Sequence, residues 1–368
     1  MRPYSEILEY PPFELAAGDK SAMLTERLVE LTLHHREACP EYAKMLKLLG
    51  FESEEKIRSV THYNELPFIP VSLFKELELS SIPKENLFKT MTSSGTSGQA
   101  VSKIYLDRET ANNQQRTLVK IVSQFMGASR MPMLIIDSPS VIKDRRMFSA
   151  RGAGILGFSI FGADKTYALR DDMSLDIEAV CAFLQKHAGK QILLFGFTFM
   201  VWQHFYAELK RLKETEGMNF DLSNGVLIHG GGWKKLESEK VSHADFKAAL
   251  KNVCGIEHVH DYYGMVEQTG CIYMECEHGH LHASSYSDII IRDPKDLSVA
   301  PNGTRGVIEV VSALPESYCG HILLTEDEGT ILGEDSCPCG RRGKYFAVHG
   351  RLKNAEIRGC SDTYAAGR

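Results

Sequence analysis

No stretch of this 368-residue chain approaches the ~18 consecutive apolar residues of a membrane-spanning helix. The opening Met1-Arg2-Pro3-Tyr4-Ser5-Glu6 has no apolar signal core. A helical membrane protein is thereby excluded, and a cytoplasmic location is expected. A basic surplus is missing too. The formal charge is -6, with both signs spread along the chain, so neither nucleic acid nor an anionic membrane surface is an expected partner. Neither an internal repeat nor a low-complexity tract is present. A Walker-type GxxxxGK[ST] loop is absent. So is the Gly-x-Ser-x-Gly elbow: Ser138, in Asp137-Ser138-Pro139, follows an apolar run without it, which argues against an α/β-hydrolase. The nine cysteines are an odd number in a long chain without a leader. Disulfides are not expected there, and clustered cysteines point to metal or nucleophile roles.

What is present is a globular composition, 43% hydrophobic and 24% charged, on a chain long enough for more than one domain. Leu24, Leu28, Leu31, His35, Tyr42 and Leu46 recur at helical spacing, and Gly50 stops the run. Pro67, Pro70 and Pro83 punctuate a connecting segment. From there apolar strands (131–136, 191–195, 226–228, 258–263) alternate with helical patterns (177–187, 199–212, 246–253). That rhythm predicts a mostly parallel, helix-covered sheet, an α/β fold. After about residue 270, Ile289-Ile290-Ile291 and the runs 306–311 and 321–325 lie between turns such as Pro301-Asn302-Gly303. They read as an antiparallel sheet or small barrel. The expected division is a helical amino-terminal region (1–85), an α/β core (86–270), a smaller antiparallel β subdomain (271–349) and a carboxy-terminal arm (350–368).

Four segments carry chemistry. Thr92-Ser93-Ser94-Gly95-Thr96-Ser97-Gly98 is entirely small, hydroxylated or glycine. Glycines let the backbone approach phosphates while N–H and hydroxyl groups donate to them. Strand-like residues on both sides make it a hairpin tip. His229-Gly230-Gly231-Gly232-Trp233 lies past the carboxyl end of an apolar strand, where open α/β sheets bind ligands. Three glycines there would let a flat base lie on bare backbone. Asp261-Tyr262-Tyr263-Gly264-Met265-Val266-Glu267 ends another strand. A tyrosine can stack on a base while Glu267 reaches a phosphate-bound magnesium ion. Asp327, in Thr325-Glu326-Asp327, can accept from ribose hydroxyls, and Arg351 can add a donor.

In this order the four segments resemble the motifs of the adenylate-forming, or acyl-activating, enzyme superfamily. Ser93-Ser94-Gly95-Thr96-Ser97-Gly98 matches its phosphate loop, Tyr263-Gly264-Met265-Val266-Glu267 its Tyr-Gly-x-Thr-Glu, Thr325-Glu326-Asp327 its Thr-Gly-Asp and Gly350-Arg351 its hinge. Within the superfamily the chain looks most like the LuxE-type acyl-protein synthetases. His34-His35-Arg36-Glu37-Ala38-Cys39-Pro40-Glu41-Tyr42, the Ser/Gly loop, Gly230-Gly231-Gly232-Trp233-Lys234 and Arg358-Gly359-Cys360 carry that likeness. The resemblance implies ATP- and Mg2+-dependent activation of a fatty or other carboxylic acid. It also implies acyl transfer to a cysteine near the carboxyl terminus and delivery to a reductase partner. Val266 and Glu326 depart from the superfamily residues, and Lys103 comes slightly late after the loop.

Larger superfamily members continue for about a hundred residues after the hinge, whereas seventeen follow Arg351 here. The acceptor is then expected within the arm. Cys360, among Arg351, Lys353 and Arg358, is the candidate nucleophile, because nearby cations raise the thiolate fraction. An acyl pocket is expected along Phe195-Gly196-Phe197-Thr198-Phe199. Cys276 and His282, with Cys337 and Cys339, offer four soft ligands for a closed tetrahedral zinc site; Cys271, His278 and His280 are possible substitutes. Phenylacetate-CoA-ligase-like members have a similar element, and luminescence-type synthetases typically lack these cysteines. Two other functions stay open at this point. One is an acyl- or aryl-CoA ligase using coenzyme A or a carrier-protein thiol; the other is a zinc-containing binding subunit without turnover.

Overall fold

A computed structural model describes residues 1–93, 100–142, 150–233, 236 and 239–352. The amino-terminal part is helical: α1 (Tyr4–Ile7), α2 (Ala17–Ala38), α3 (Pro40–Leu48) and α4 (Glu54–Arg58). The single helical run expected over 20–50 is broken at Cys39-Pro40. Proline supplies no N–H and forces Cys39 out of the helical region, to φ -121°, ψ 103°.

Strand β1 (Ile69–Pro70) leads to a separate hairpin, β2 (Lys89–Thr92) and β3 (Lys103–Leu106). The two pair antiparallel with Thr92 opposite Lys103, so the Ser/Gly segment does connect two hairpin strands. Helix α5 (Arg108–Met126) is capped by Asp107, whose Oδ1 accepts from the Thr110 N–H at 2.7 Å. The α/β rhythm follows: β4 (Met131–Ile136), α6 (Ala150–Phe158), β5 (Gly162–Tyr167), α7 (Ile177–Lys186) and β6 (Ile192–Phe197). A continuous helical run comes next, α8 (Thr198–Met200), a π-helical turn Val201–Tyr206 and α9 (Ala207–Glu216), then β7 (Gly225–Gly230), α10 (His243–Cys254) and β8 (His258–Tyr263). β6 and β7 are buried at every position, as strands covered on both faces must be.

The chain then changes sense without leaving the sheet. β9 (Tyr273–Glu275) pairs antiparallel with β8, β10 (Leu281–His282) with β9, and β11 (Ser287–Arg292), β12 (Gly306–Ser312), β13 (Ile322–Glu334) and β14 (Lys344–Arg351) continue antiparallel. The described residues form one mixed 12-stranded sheet in the order β11-β12-β13-β14-β10-β9-β8-β7-β6-β4-β5, with β1 on β13. The antiparallel strands expected to stand apart as a smaller sheet or barrel are therefore joined edge to edge with the parallel ones. The strand expected at 321–325 runs on to Glu334, so Asp327 lies within a strand rather than after it.

The helical region packs on the antiparallel half through buried charge. Arg27 donates to the Ala313 carbonyl at 2.9 Å and pairs with Glu316. Lys20 and Lys344 flank Asp288 at 3.6 and 3.1 Å, and the Tyr63 hydroxyl donates to the same carboxylate. None of the described helices is long and apolar enough to cross a membrane.

Candidate active site

The carboxyl ends of β6, β7 and β8 bring two of the four segments together. Gly230 pairs with both Phe197 and Tyr262 across the parallel ladders. A Cβ on Gly230 would sit 2.6 Å from the Tyr262 ring, and one on Gly231 would sit 2.5 Å from Phe197. Gly231 and Gly232 have φ of +81° and +65°, and only Gly232 has open space on its Cβ side. The expectation that all three glycines offer bare backbone to a base is thus corrected. Two of them seat the protein's own rings, and one is open. Tyr262 in turn packs on Phe158 and Phe195 with ring centroids 5.2 and 6.5 Å away. Thr198 Oγ1 donates to the Gly230 carbonyl at 3.1 Å and lies 2.9 Å from His229 Nδ1. Burial pushes His229 down to about 3, so the imidazole there is neutral.

A second group joins motifs far apart in sequence. The Tyr263 hydroxyl donates to Asp327 Oδ2 at 2.7 Å. Arg351 stands opposite Asp327 in the β13–β14 register, with its guanidinium 3.9 Å from Asp327 and 3.8 Å from Glu326. Gly264 follows Tyr263 with no room to spare, since a Cβ would lie 3.0 Å from Ile272. Glu267, 4% exposed, sits in the short turn Val266–Gln268. That turn is held by Gln268, whose Nε2 donates to the carbonyls of Gly320 and Val310 at 2.9 and 3.2 Å.

Sequence reading missed a third feature. His243 and Lys247, one turn apart on α10, converge on Glu275 at 3.1 and 3.0 Å. Glu275 also accepts from the Asp261 N–H at 3.0 Å, and His229 lies 3.6 Å from the Asp261 carboxylate. Burial works to raise Glu275, but the His243 hydrogen bond and the Lys247 charge outweigh it and hold it at about 2. Asp261 is pushed up to about 7, chiefly by burial. The i, i+4 spacing of His243 and Lys247 was the available signal.

The soft-ligand group assembles as the spacing suggested. One ligand atom from each of Cys276, His282, Cys337 and Cys339 lies within 4.8 Å of all the others. The Cys276 and Cys337 sulfurs are 3.9 Å apart, and Cys339 Sγ is 3.4 Å from His282 Nε2. His280 lies outside this set, with its Nδ1 3.2 Å from the Cys337 sulfur. Cys271 is elsewhere, accepting from the Ser312 hydroxyl at 3.2 Å. Burial pushes the Cys337 thiol up to about 12 and the His282 imidazole down to about 4.

Ser93 is described: it closes the hairpin by accepting from the Ser102 N–H at 2.9 Å. Ser94, Gly95, Thr96, Ser97, Gly98 and Cys360 lie outside the described residues. A groove of about 430 Å³ lined by Cys181, His187, Ile192 and Phe220 lies at the amino ends of β6 and β7, away from these groups.

Known proteins resemble this chain in sequence and in fold. The family model described as "Acyl-protein synthetase, LuxE" matches residues 4–366. A Vibrio harveyi long-chain-fatty-acid–luciferin-component ligase is 23% identical over 348 residues, covering 92% of this chain and 86% of the relative. Its counterpart from Aliivibrio fischeri is 25% identical over 309 residues, covering 81% and 77%. Among solved structures, an open conformation of 2-hydroxyisobutyryl-CoA ligase with 2-HIB-AMP and CoA superimposes with a TM-score of 0.68 at 16% identity. It covers 94% of this chain and 78% of that one, a likeness of fold. The family match runs nearly end to end, so the chain belongs to the acyl-protein synthetase, LuxE family and is an ATP-dependent ligase of the adenylate-forming type.

Proposed function

We propose that this chain activates a long-chain carboxylic acid and passes the acyl group to its own Cys360 for delivery to a reductase partner. In the first half-reaction a carboxylate oxygen attacks the α-phosphorus of ATP. The bond from that phosphorus to the bridging oxygen breaks, and pyrophosphate leaves with the electron pair, giving acyl-AMP. In the second, the Cys360 thiolate attacks the acyl carbon, AMP departs and a thioester remains. The Ser93–Gly98 loop holds the phosphates, Tyr262 and Gly232 face the base, and Asp327 with Arg351 holds the ribose. Holding both reactants in place supplies most of the rate. Glu267, a buried carboxylate, suits a hard cation and would hold Mg2+, which neutralises phosphate charge.

The observation that carries this reading is the meeting of Tyr263, Asp327 and Arg351, three motifs of one nucleotide pattern, at 2.7 to 3.9 Å. Burial, with the Asp327 charge second, pushes the Tyr263 phenol well above its ordinary value. It is therefore a permanent donor that orients the carboxylate.

The Cys276, His282, Cys337 and Cys339 group fits Zn2+. With Zn–S bonds of about 2.3 Å, the sulfurs of a tetrahedral site lie about 3.8 Å apart, and the Cys276–Cys337 separation is 3.9 Å. Four protein donors leave no open position, so such an ion is structural rather than catalytic. Pyrophosphate release from MgATP, measured across saturated acids of increasing chain length, tests the function. Release confined to long chains is expected, and no release with any acid rejects it.

A further inference from the structure

Among the described residues the mixed sheet is thin where its two halves meet, since β8–β9, β9–β10 and β10–β14 each pair through two residues. Between the antiparallel strands β11–β14 and the strands running from β9 into the parallel set lies β10, two residues long. Leu281 and His282 pair with Phe346 and Tyr345 of β14 on one side and with Glu275 and Met274 on the other. The ladder between the two halves passes through those two residues.

The nucleotide residues are divided by this seam. Gly230, Gly232, Tyr262 and Tyr263 belong to the parallel half, and Asp327 and Arg351 to the antiparallel half. The four soft ligands are divided in the same way. Cys276 follows β9 and His282 lies on β10, whereas Cys337 and Cys339 lie in the connection between β13 and β14.

That connection, residues 335–343, is too long to fix strand register by turn geometry, which short hairpin loops do. The β13–β14 ladder is itself irregular at Glu328/Gly329 and at Ile331/Gly333. One polar tie of this connection crosses the seam, Arg341 to the exposed carboxylate of Glu277 at 2.9 Å, and such a surface pair is weak; two others at its base act within the antiparallel half. Asp335 Oδ1 accepts from the Gly343 N–H at 2.7 Å, and Lys344 pairs with Asp288 of β11. Neither of these two reaches β10, against which β14 is held by the two-residue ladder and by the Ala283 N–H donating to the Lys344 carbonyl at 3.0 Å.

We propose that the Cys276/His282/Cys337/Cys339 centre, holding zinc, is the staple of this seam and sets the register of Asp327 and Arg351 against Tyr262 and Tyr263. The proposal rests on the zinc reading above. Metal occupancy then controls nucleotide affinity from a distance. Tyr345, opposite His282, and Arg351 are six residues apart on one strand, about 20 Å at ~3.3 Å per residue. Along that length a slip of one residue would turn the wrong side chains to the site.

The test uses the full chain in two states: as purified, with zinc counted by mass spectrometry, and after a zinc-selective chelator that spares Mg2+. MgATP binding is followed by calorimetry and backbone opening by hydrogen exchange. Cys339→Ser, altering the one half-exposed ligand, repeats the measurement without chelator. The expected result is one zinc per chain. Its loss should weaken MgATP binding fivefold or more and speed exchange at 279–283 and 344–351, leaving 131–136, 192–197 and 225–230 protected. One zinc per chain whose removal leaves affinity within twofold and exchange at 344–351 unmoved would overturn the staple while the zinc reading stood. Unfolding of the parallel strands on zinc loss would also overturn it, because the whole core would then depend on the metal. A chain that takes up no zinc would reject the zinc reading and the staple together.

Discussion

The hydroxyl of Tyr263 donates to the carboxylate of Asp327 at 2.7 Å, joining residues 64 apart in the chain and on strands that are not neighbours in the sheet. A hydrogen bond to a charged acceptor is worth roughly 1.5–3 kcal/mol, and here it aims a carboxylate that Arg351 approaches from the other side. Tyr263→Phe keeps the ring that packs 6.0 Å from Tyr273 and 6.2 Å from Phe346 and removes only the donor. The dissociation constant for MgATP should rise about tenfold, equivalent to about 1.4 kcal/mol, with a small loss of stability. Calorimetry on a variant whose circular dichroism is unchanged reads this directly. Unaltered affinity would show that the contact orients nothing.

Cys360 gives the second prediction. β14 ends at Arg351, beside Asp327, and Cys360 follows nine residues later. Fully extended, nine residues span at most about 30 Å, enough to bring the thiol back over the site from which the strand departs. Incubation with radioactive acid and MgATP should label the wild-type chain covalently and leave Cys360→Ser unlabelled, while pyrophosphate release in the first turnover is retained. Equal labelling of both proteins would place the acceptor elsewhere. Labelling of neither, with thioester appearing only when coenzyme A is added, would favour a CoA ligase.

The residues explain which parts of this arrangement could be read beforehand. The parallel strands were legible because Ile192–Phe197 and Gly225–Gly230 are apolar runs bounded by polar turns. The Cys/His group was legible because Cys-x5-His and Cys-x-Cys restrict the ligand chemistry whatever the fold. The joining of the two halves was not, because it depends on a two-residue strand, Leu281–His282, too short for any periodicity. Nor was the Glu275 network, whose members come from β7, β8, β9 and α10; only His243 and Lys247 share a local spacing, and it does not say which carboxylate they meet. The glycine cluster gave half of its meaning: its position after β7 was predictable, but the aromatic rings that fill it come from β6 and β8.

Acid should destabilise the chain through histidines held neutral in the fold. His321, fully buried, has its Nε2 3.0 Å from Thr32 Oγ1 and 3.3 Å from the Tyr42 hydroxyl, and its ring lies beside His35. Burial, with the His34 and Arg27 charges in support, pushes it down to about 3. The unfolded chain binds that proton near pH 6.5, so between about 6.5 and 3 the unfolded state holds more protons and stability falls as pH falls. From pH 6.5 to 5 this group alone withdraws up to about 2 kcal/mol. His321→Gln should therefore flatten the pH dependence of urea unfolding over that window, even if it lowers stability at pH 7.5. A slope identical to that of the wild type would mean that the ring titrates in the fold as it does in the unfolded chain.

The three glycines after β7 make a sharper test than removing them together. At Gly230 an alanine Cβ would meet the Tyr262 ring at 2.6 Å, although its backbone is ordinary strand. At Gly232 the Cβ would meet nothing within 4 Å, but φ is +65°. Gly232→Ala thus carries a backbone cost of roughly 1–2 kcal/mol and leaves the aromatic wall in place. Gly230→Ala must displace Tyr262 from its packing on Phe158 and Phe195, an overpacking cost of about 1–3 kcal/mol. The two variants should lose comparable stability in denaturant titrations. If Tyr262 forms one face of the base site, they should separate in nucleotide binding, with MgATP affinity falling much further in Gly230→Ala. Equal losses of affinity would mean that displacing Tyr262 harms base binding no more than a Cβ at Gly232 does, and the base would then have to be sought away from Tyr262.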